Sequence, residues 1–102
     1  MIHVIATIET EPGKRADVVA GLNWVTPAVR AEDGCIEYGA TVDVASGLGA
    51  QPPLREDVVT VVEKWRDVAA LKAHTTAPHM AEYRAKVAGL VKKVTLAVTE
   101  PA

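Results

Sequence analysis

The sequence DVVTVVEKWRDVAALKAH, residues 57–74, determines the architecture because it carries one strand straight into one helix. Asp57–Trp65 is dominated by valine, and its apolar side chains do not alternate strictly, which predicts a strand covered on both faces. Asp67 is a typical N-cap residue, so a helix is predicted from Val68 to about His74. A strand joined to a helix in this way indicates helices packed on a sheet.

The residues before this unit predict a strand and a helix. Ile2–Glu9 is rich in β-branched residues and alternates between two faces. A helix opens near Pro12, and Pro27 predicts a kink or a loosened last turn before Gly34 ends it. Trp24 is expected at the flank of this helix. The predicted apolar stripe, at steps of four, three and four residues, consists of Val18, Leu22, Val25 and Val29.

Two further strands and a second helical segment complete the chain. Cys35–Val44 is predicted to be a strand, and Ala45–Glu56 is predicted to be a loop because of its Gly and Pro content. A helix restarts at Pro78, and Val94–Val98 forms a short final strand. The predicted apolar face of the restarted helix consists of Met80, Tyr83, Val87 and Leu90.

The predicted order is therefore β-α-β-β-α-β, an α+β ferredoxin-like arrangement with an antiparallel sheet and helices on one face. The other face would carry Val, Ile and Ala residues that nothing in the chain covers. An uncovered apolar sheet surface marks an interaction site, so we expect a homodimer whose sheets pack face to face.

Length and composition narrow the function class. The chain has 102 residues, which predicts one domain over 1–102, and its net charge of −2 gives no attraction to nucleic acid or to an anionic membrane. No apolar run approaches the ~20 residues of a membrane helix, and residues 1–4 lack signal-peptide features. A single cysteine, Cys35, agrees with a reducing compartment, so we expect a cytoplasmic protein.

Glu63 and Trp65 are the first candidate site residues. They end the third strand two positions apart, so both side chains point to the same face. Trp65 is large enough to form a wall of a cavity between sheet and helices. It could equally be a core residue whose indole N–H has found a partner.

His74, His79 and Tyr83 are the second set of candidates, at and after the helix restart. A neutral imidazole can accept a proton from an acidic O–H or C–H group. We expect His74 to be buried near the cavity, whereas His79 could instead face solvent or cap a helix. Tyr83 lies one turn beyond His79, on the same side of the helix.

A metal site is not expected. The three histidines are His3, His74 and His79, and the last two are separated by a proline and are not predicted to converge. The sequence contains no cluster of Cys or carboxylate residues that would complete a metal site with these histidines.

Two stretches resemble a known family. EDGCIEY, residues 32–38, has the pattern E-x-G-C-x-x-Y, and residues 63–74 have the pattern E-x-W-x-D-x-x-A-L-x-x-H. With the first strand and the segment from His74 to His79, they are similar to the antibiotic biosynthesis monooxygenase superfamily, which includes quinol monooxygenases and anthrone oxygenases.

The resemblance implies a dimeric α+β barrel that oxygenates quinols, polyphenols or similar electron-rich aromatics with dioxygen, without flavin, haem or metal. It implies that Trp65 stacks on the substrate ring, and that His74 or His79 accepts or orients the phenolic proton. Tyr83 and Tyr38 would then donate hydrogen bonds. The haem-degrading branch has an Asn on the first strand where this chain has Thr7, and a helical His where it has Tyr83, so haem is disfavoured. The resemblance implies that Thr7 binds substrate together with Trp65, Tyr38 and Glu63.

Two alternatives remain open. A branch that processes a phosphorylated signalling sugar shares the segment from His74 to His79, which permits an isomerase acting on a small phosphorylated ketone. Cationic side chains at the cavity mouth would favour the isomerase hypothesis, and the candidates are Arg55, Lys64 and Arg66. The chain could also be a non-catalytic dimeric binding module, particularly if side chains fill the space behind Trp65.

Overall fold

A four-stranded antiparallel sheet carries three helices in the computed structural model, which describes residues 1–102. The strands lie in the order β2-β3-β1-β4, so the predicted α+β ferredoxin-like fold is confirmed. The elements are β1 (Ile2–Thr10), α1 (Arg15–Arg30), β2 (Cys35–Thr41), β3 (Val58–Trp65), α2 (Val68–Thr75), α3 (Pro78–Lys86) and β4 (Val91–Thr99).

The core lies between the helices and one face of the sheet. Alternate residues of β1 are buried there, and the predicted stripe of α1 is buried against them. The helix continues through Pro27 to Arg30, with the Thr26 hydroxyl donating to the Leu22 carbonyl at 2.6 Å. Asp67 caps α2 as predicted, since its side chain accepts the Ala70 N–H.

Three predicted boundaries were wrong. β2 ends at Thr41 rather than Val44, so the loop before β3 spans residues 42–57. The helix expected to reach Leu90 ends at Lys86, because Gly89 adopts a φ of 80° that no helix accommodates. β4 consequently begins earlier, at Val91, and is longer than predicted.

The face of the sheet away from the helices carries Val, Ile and Ala at its centre, where Ile5 is 40% exposed and pairs with Val62 and Ala97. Polar residues surround them, including Thr7, Thr60 and Lys64. Within one chain, only the helix-side face of β3 is fully buried, and the other face is half-buried. No helix has the length and apolar character that crossing a membrane demands.

A second apolar surface lies on β4. Leu96 pairs with Ala6 and Val94 with Ile8, so these side chains point to the helix side of the sheet. The helices do not extend over β4, and the row that this leaves exposed consists of Val94, Leu96 and Val98, at 53%, 54% and 47%.

Candidate functional site

A cavity of about 210 Å³ lies between the sheet and the helices. Its lining is mostly apolar. Besides two tyrosines, the residues with titratable side chains are Glu63, His74 and Arg84. The remaining lining residues are Ala6, Ile8, Leu22, Tyr38, Val61, Met80, Tyr83, Val94 and Leu96. The space between sheet and Tyr83 is therefore open.

Trp65 supports this cavity from behind and does not line it. The side chain is fully buried, and its Nε1 donates to Glu63 Oε1 at 2.9 Å. The Trp65 ring lies against the His74 ring, with centroids 4.7 Å apart and planes at 38°. The predicted stacking of Trp65 on a substrate ring does not fit this placement, because His74 occupies the face of the indole.

Glu63 and Trp65 do share one face of β3, as predicted. Glu63 is 6% exposed and lines the cavity. Burial raises the pKa of its carboxyl, while the Trp65 hydrogen bond and the nearby His74 act in the opposite direction.

Glu32 joins the two later histidines. Its Oε2 atom lies 2.8 Å from His74 Nδ1 and 2.8 Å from His79 Nε2. The expectation that these histidines do not converge was wrong, because α2 ends at Thr75 and α3 restarts at Pro78. The break turns the chain so that both rings face one carboxylate.

Gly34 positions Glu32 against α2. It adopts a φ of 85°, and a Cβ at this position would lie 2.6 Å from the Ala70 Cβ. Its carbonyl accepts the Arg66 N–H at 2.8 Å, and the Arg66 side chain pairs with Asp33 at 3.0 Å. The turn between α1 and β2 therefore rests directly on the start of α2, which holds Glu32 beside His74.

The tautomer of His74 follows from its partners. A carboxylate only accepts hydrogen bonds, so neutral His74 carries its proton on Nδ1, facing Glu32. The ring is 5% exposed and lines the cavity, and its one side-chain hydrogen bond is the contact of Nδ1 with Glu32, which leaves Nε2 accessible. A proton acceptor is thereby presented to the cavity.

Tyr38 and Tyr83 both line the cavity. Burial raises the pKa of each phenol, helped at Tyr38 by the nearby Glu63 and opposed at Tyr83 by Arg84. Both hydroxyls stay protonated near neutral pH and can donate to a ligand.

The structure does not bring every predicted residue to this site. Thr7, predicted to bind substrate, points to the opposite face of the sheet and does not reach the cavity. His3, which was considered only as a metal ligand, points to that same face. His79 contacts Glu32 but does not line the cavity. The three cations considered for the cavity mouth are elsewhere, and each forms a surface ion pair: Arg55 with Asp43, Lys64 with Glu37, and Arg66 with Asp33.

Sequence reasoning missed Glu32 and Arg84. Glu32 is the first residue of the E-x-G-C-x-x-Y pattern, but no role was assigned to it. Arg84 follows Tyr83 directly and carried no local signal that it would line the cavity.

Comparisons with known proteins agree with one another. A family model described as antibiotic biosynthesis monooxygenase matches residues 1–86. The Escherichia coli K12 protein named "Probable quinol monooxygenase YgiN" is 35% identical over 99% of this chain and 98% of its own length. The crystal structure of PA3566 from Pseudomonas aeruginosa has a TM-score of 0.80 at 25% identity, covering 99% of this chain and 94% of that one. The structure of Rv0793 from Mycobacterium tuberculosis has a TM-score of 0.75 at 28% identity, with coverages of 99% and 94%.

Proposed function

The chain belongs to the antibiotic biosynthesis monooxygenase family, and on that premise we propose that it oxygenates a reduced quinol or a similar electron-rich aromatic in this cavity. The family and the named relative support a monooxygenase-type function. The observation that carries the proposal is the Glu32–His74 contact at 2.8 Å, which occupies Nδ1 and leaves Nε2 of the neutral ring as the acceptor beside a mostly apolar cavity.

Proton removal is the step for which this pair is suited. Ground-state dioxygen is a triplet and reacts slowly with closed-shell molecules, whereas a phenolate can transfer one electron to it and the two radicals can recombine. His74 Nε2 would accept the phenolic proton, and the Glu32 carboxylate on Nδ1 would stabilise the imidazolium that forms. A quinol and dioxygen give a hydroxylated quinone and water, so the substrate supplies every electron.

The rest of the cavity suits a small aromatic molecule. A volume of about 210 Å³ lies below the roughly 300–1,000 Å³ of sites for drug-sized ligands. Apolar side chains from the sheet and α3 would contact the ring faces, and Tyr38 and Tyr83 would donate hydrogen bonds to its oxygens.

A homodimer belongs to the same proposal. The face of the sheet around Ile5 and the row Val94, Leu96 and Val98 are both left uncovered by the chain's own helices. A second copy packed on the sheet face, and reaching over β4, would remove this apolar surface from water.

Replacing His74 tests the function. In His74→Gln the residue keeps its approximate size but loses its basicity, so oxygen uptake with a reduced naphthoquinol should fall by about 10²–10⁴-fold. An oxygen electrode measures this after subtraction of uncatalysed oxidation. His3→Gln, on the opposite face of the sheet, is the matched control and should keep the wild-type rate. Equal rates in both variants, or a wild-type rate equal to the uncatalysed one, would refute the proposal.

An isomerase acting on a small phosphorylated ketone is the second candidate, because Arg84 lines the cavity and could pair with a phosphate. A single guanidinium in a mostly apolar cavity that also contains Glu63 is a weak site for a dianion. Substrate consumption that continues without oxygen would distinguish this reaction from oxygenation.

A further inference from the structure

The Glu32, His74 and His79 side chains present three ligand atoms that all lie within 4.8 Å of one another. We propose that this cluster binds a divalent transition-metal ion such as Zn²⁺, and that the bound ion blocks His74 as the base of the cavity. The binding does not depend on the proposed function, whereas the effect on turnover rests on it.

The donor set selects the class of ion. Two imidazoles and one carboxylate suit zinc and its first-row neighbours, whereas Mg²⁺ and Ca²⁺ prefer oxygen ligands. The ligands come from three segments that are already fixed: the turn after α1, the end of α2 and the first turn of α3. Little ordering of the chain is therefore needed on binding.

The required movements are small. Ligand atoms around a tetrahedral zinc ion lie roughly 3.3 Å apart, because its bonds to nitrogen and oxygen are about 2.0–2.2 Å long. The two contacts of Glu32 Oε2, each 2.8 Å, would lengthen by about half an ångström. The two nitrogens, up to 4.8 Å apart at the start, would approach each other by up to about 1.5 Å. Side-chain rotations can supply this.

The ion can reach the cluster from outside. The side chain of His79 is 25% exposed, compared with 6% for His74 and 12% for Glu32. His79 also lies outside the cavity lining, so zinc would enter on the surface side and substrate on the cavity side.

Binding would reverse the hydrogen-bonding role of His74. Without metal, Nδ1 carries the proton and Nε2 accepts. When Nδ1 ligates a metal, its lone pair is used and the ring proton must reside on Nε2. The atom facing the cavity then donates a hydrogen bond and cannot accept a phenolic proton. Zinc would inhibit turnover without occupying the cavity.

Titration of chelator-treated protein with zinc in a calorimeter tests the binding. We expect one zinc ion per chain and no heat with Mg²⁺. His79→Gln should weaken zinc binding by more than the roughly 10–100-fold that loss of a supporting residue costs. His3→Gln is the matched control, since His3 lies on the other face of the sheet, and it should bind zinc as the wild type does. Circular dichroism checks folding, and Glu32→Gln is the second variant should His79→Gln misfold.

Nitrogen-15 spectra of the histidine rings test the switch independently of turnover. His74 Nε2 should be unprotonated without metal and protonated with zinc. The zinc concentration that halves oxygen uptake should rise with the zinc dissociation constant from one variant to the next. Each rate is compared with the metal-free rate of the same variant. If no sample consumes oxygen, the proposed function fails, while calorimetry and the spectra still decide this inference. Equal zinc affinity in His79→Gln and wild type, or an Nε2 that stays unprotonated with zinc bound, would overturn it.

Discussion

The cavity has two unlike walls. The closed wall consists of Glu63, Trp65 and His74, which are at most 6% exposed and are joined by a hydrogen bond and ring contact. The open wall consists of Val94 and Leu96 of β4, which are more than half exposed. Both sets line or support the same space, but only the first is buried within this chain.

The difference follows from how far the helices reach. α1 packs against β2 and β3, and α2 packs against β3, while β4 lies at the opposite edge of the sheet beside β1. The closed wall can therefore hold polar groups in fixed geometry, which proton transfer requires. The open wall has only apolar side chains to offer, which suits a ligand, a second subunit or both.

The largest expected effect is on the stability of the closed wall. Trp65→Ala removes a fully buried indole and leaves Glu63 without its donor, so the free energy of unfolding should fall by about 3–5 kcal/mol. Urea unfolding at a fixed chain concentration measures this.

Trp24→Ala is the matched control. Trp24 is 47% exposed and lies beneath the Lys86 ammonium, which is 4.3 Å from the ring centroid, so its loss should cost about 0.5–1 kcal/mol. Equal losses in the two variants would show that the buried indole of the closed wall contributes no more to stability than the exposed indole of Trp24.

The fold was predictable because it depends on repeating patterns. Alternation in β1 and steps of three and four in α1 indicate which face is buried wherever the chain is placed. The same alternation should have excluded Thr7 from the cavity, since its neighbours Ala6 and Ile8 face the helices. The resemblance to a strand position of the haem-degrading branch carries no information about which face of the sheet Thr7 occupies.

The site was only partly predictable, because it depends on contacts between distant segments. Glu32 meets His74 across 42 residues, and the contact requires the positive φ of Gly34 and its close approach to Ala70. No periodicity in the sequence encodes either condition. Likewise, the exposure of Leu96 depends on where the helices end, which the pattern of β4 alone does not contain.

A second prediction concerns the open wall. If a second copy covers β4, then Leu96→Lys places an unpaired charge in an apolar contact and should weaken self-association by at least about tenfold, or roughly 1.4 kcal/mol. Sedimentation velocity over a range of concentrations measures the dissociation constant. Asn23→Lys adds the same charge on the exposed side of α1 and should leave association unchanged. Wild-type chains that sediment only as monomers at working concentrations would contradict the dimer.

The smallest effect concerns the two tyrosines, which differ in their charged neighbours. Because burial raises both pKa values above the ~10 of an unfolded chain, the folded state keeps these protons where the unfolded state loses them. Both contributions are fully present below pH ~10, and stability should fall as the pH rises above it.

The pKa of Tyr38 is raised further by the adjacent Glu63, whereas Arg84 opposes the rise at Tyr83. Tyr38→Phe should therefore flatten the alkaline fall in stability more than Tyr83→Phe does. Urea unfolding at several pH values above 9, followed by circular dichroism, compares the two variants with the wild type. A larger flattening in Tyr83→Phe would contradict this prediction, because it would mean that Glu63 does not raise the pKa of Tyr38 above that of Tyr83.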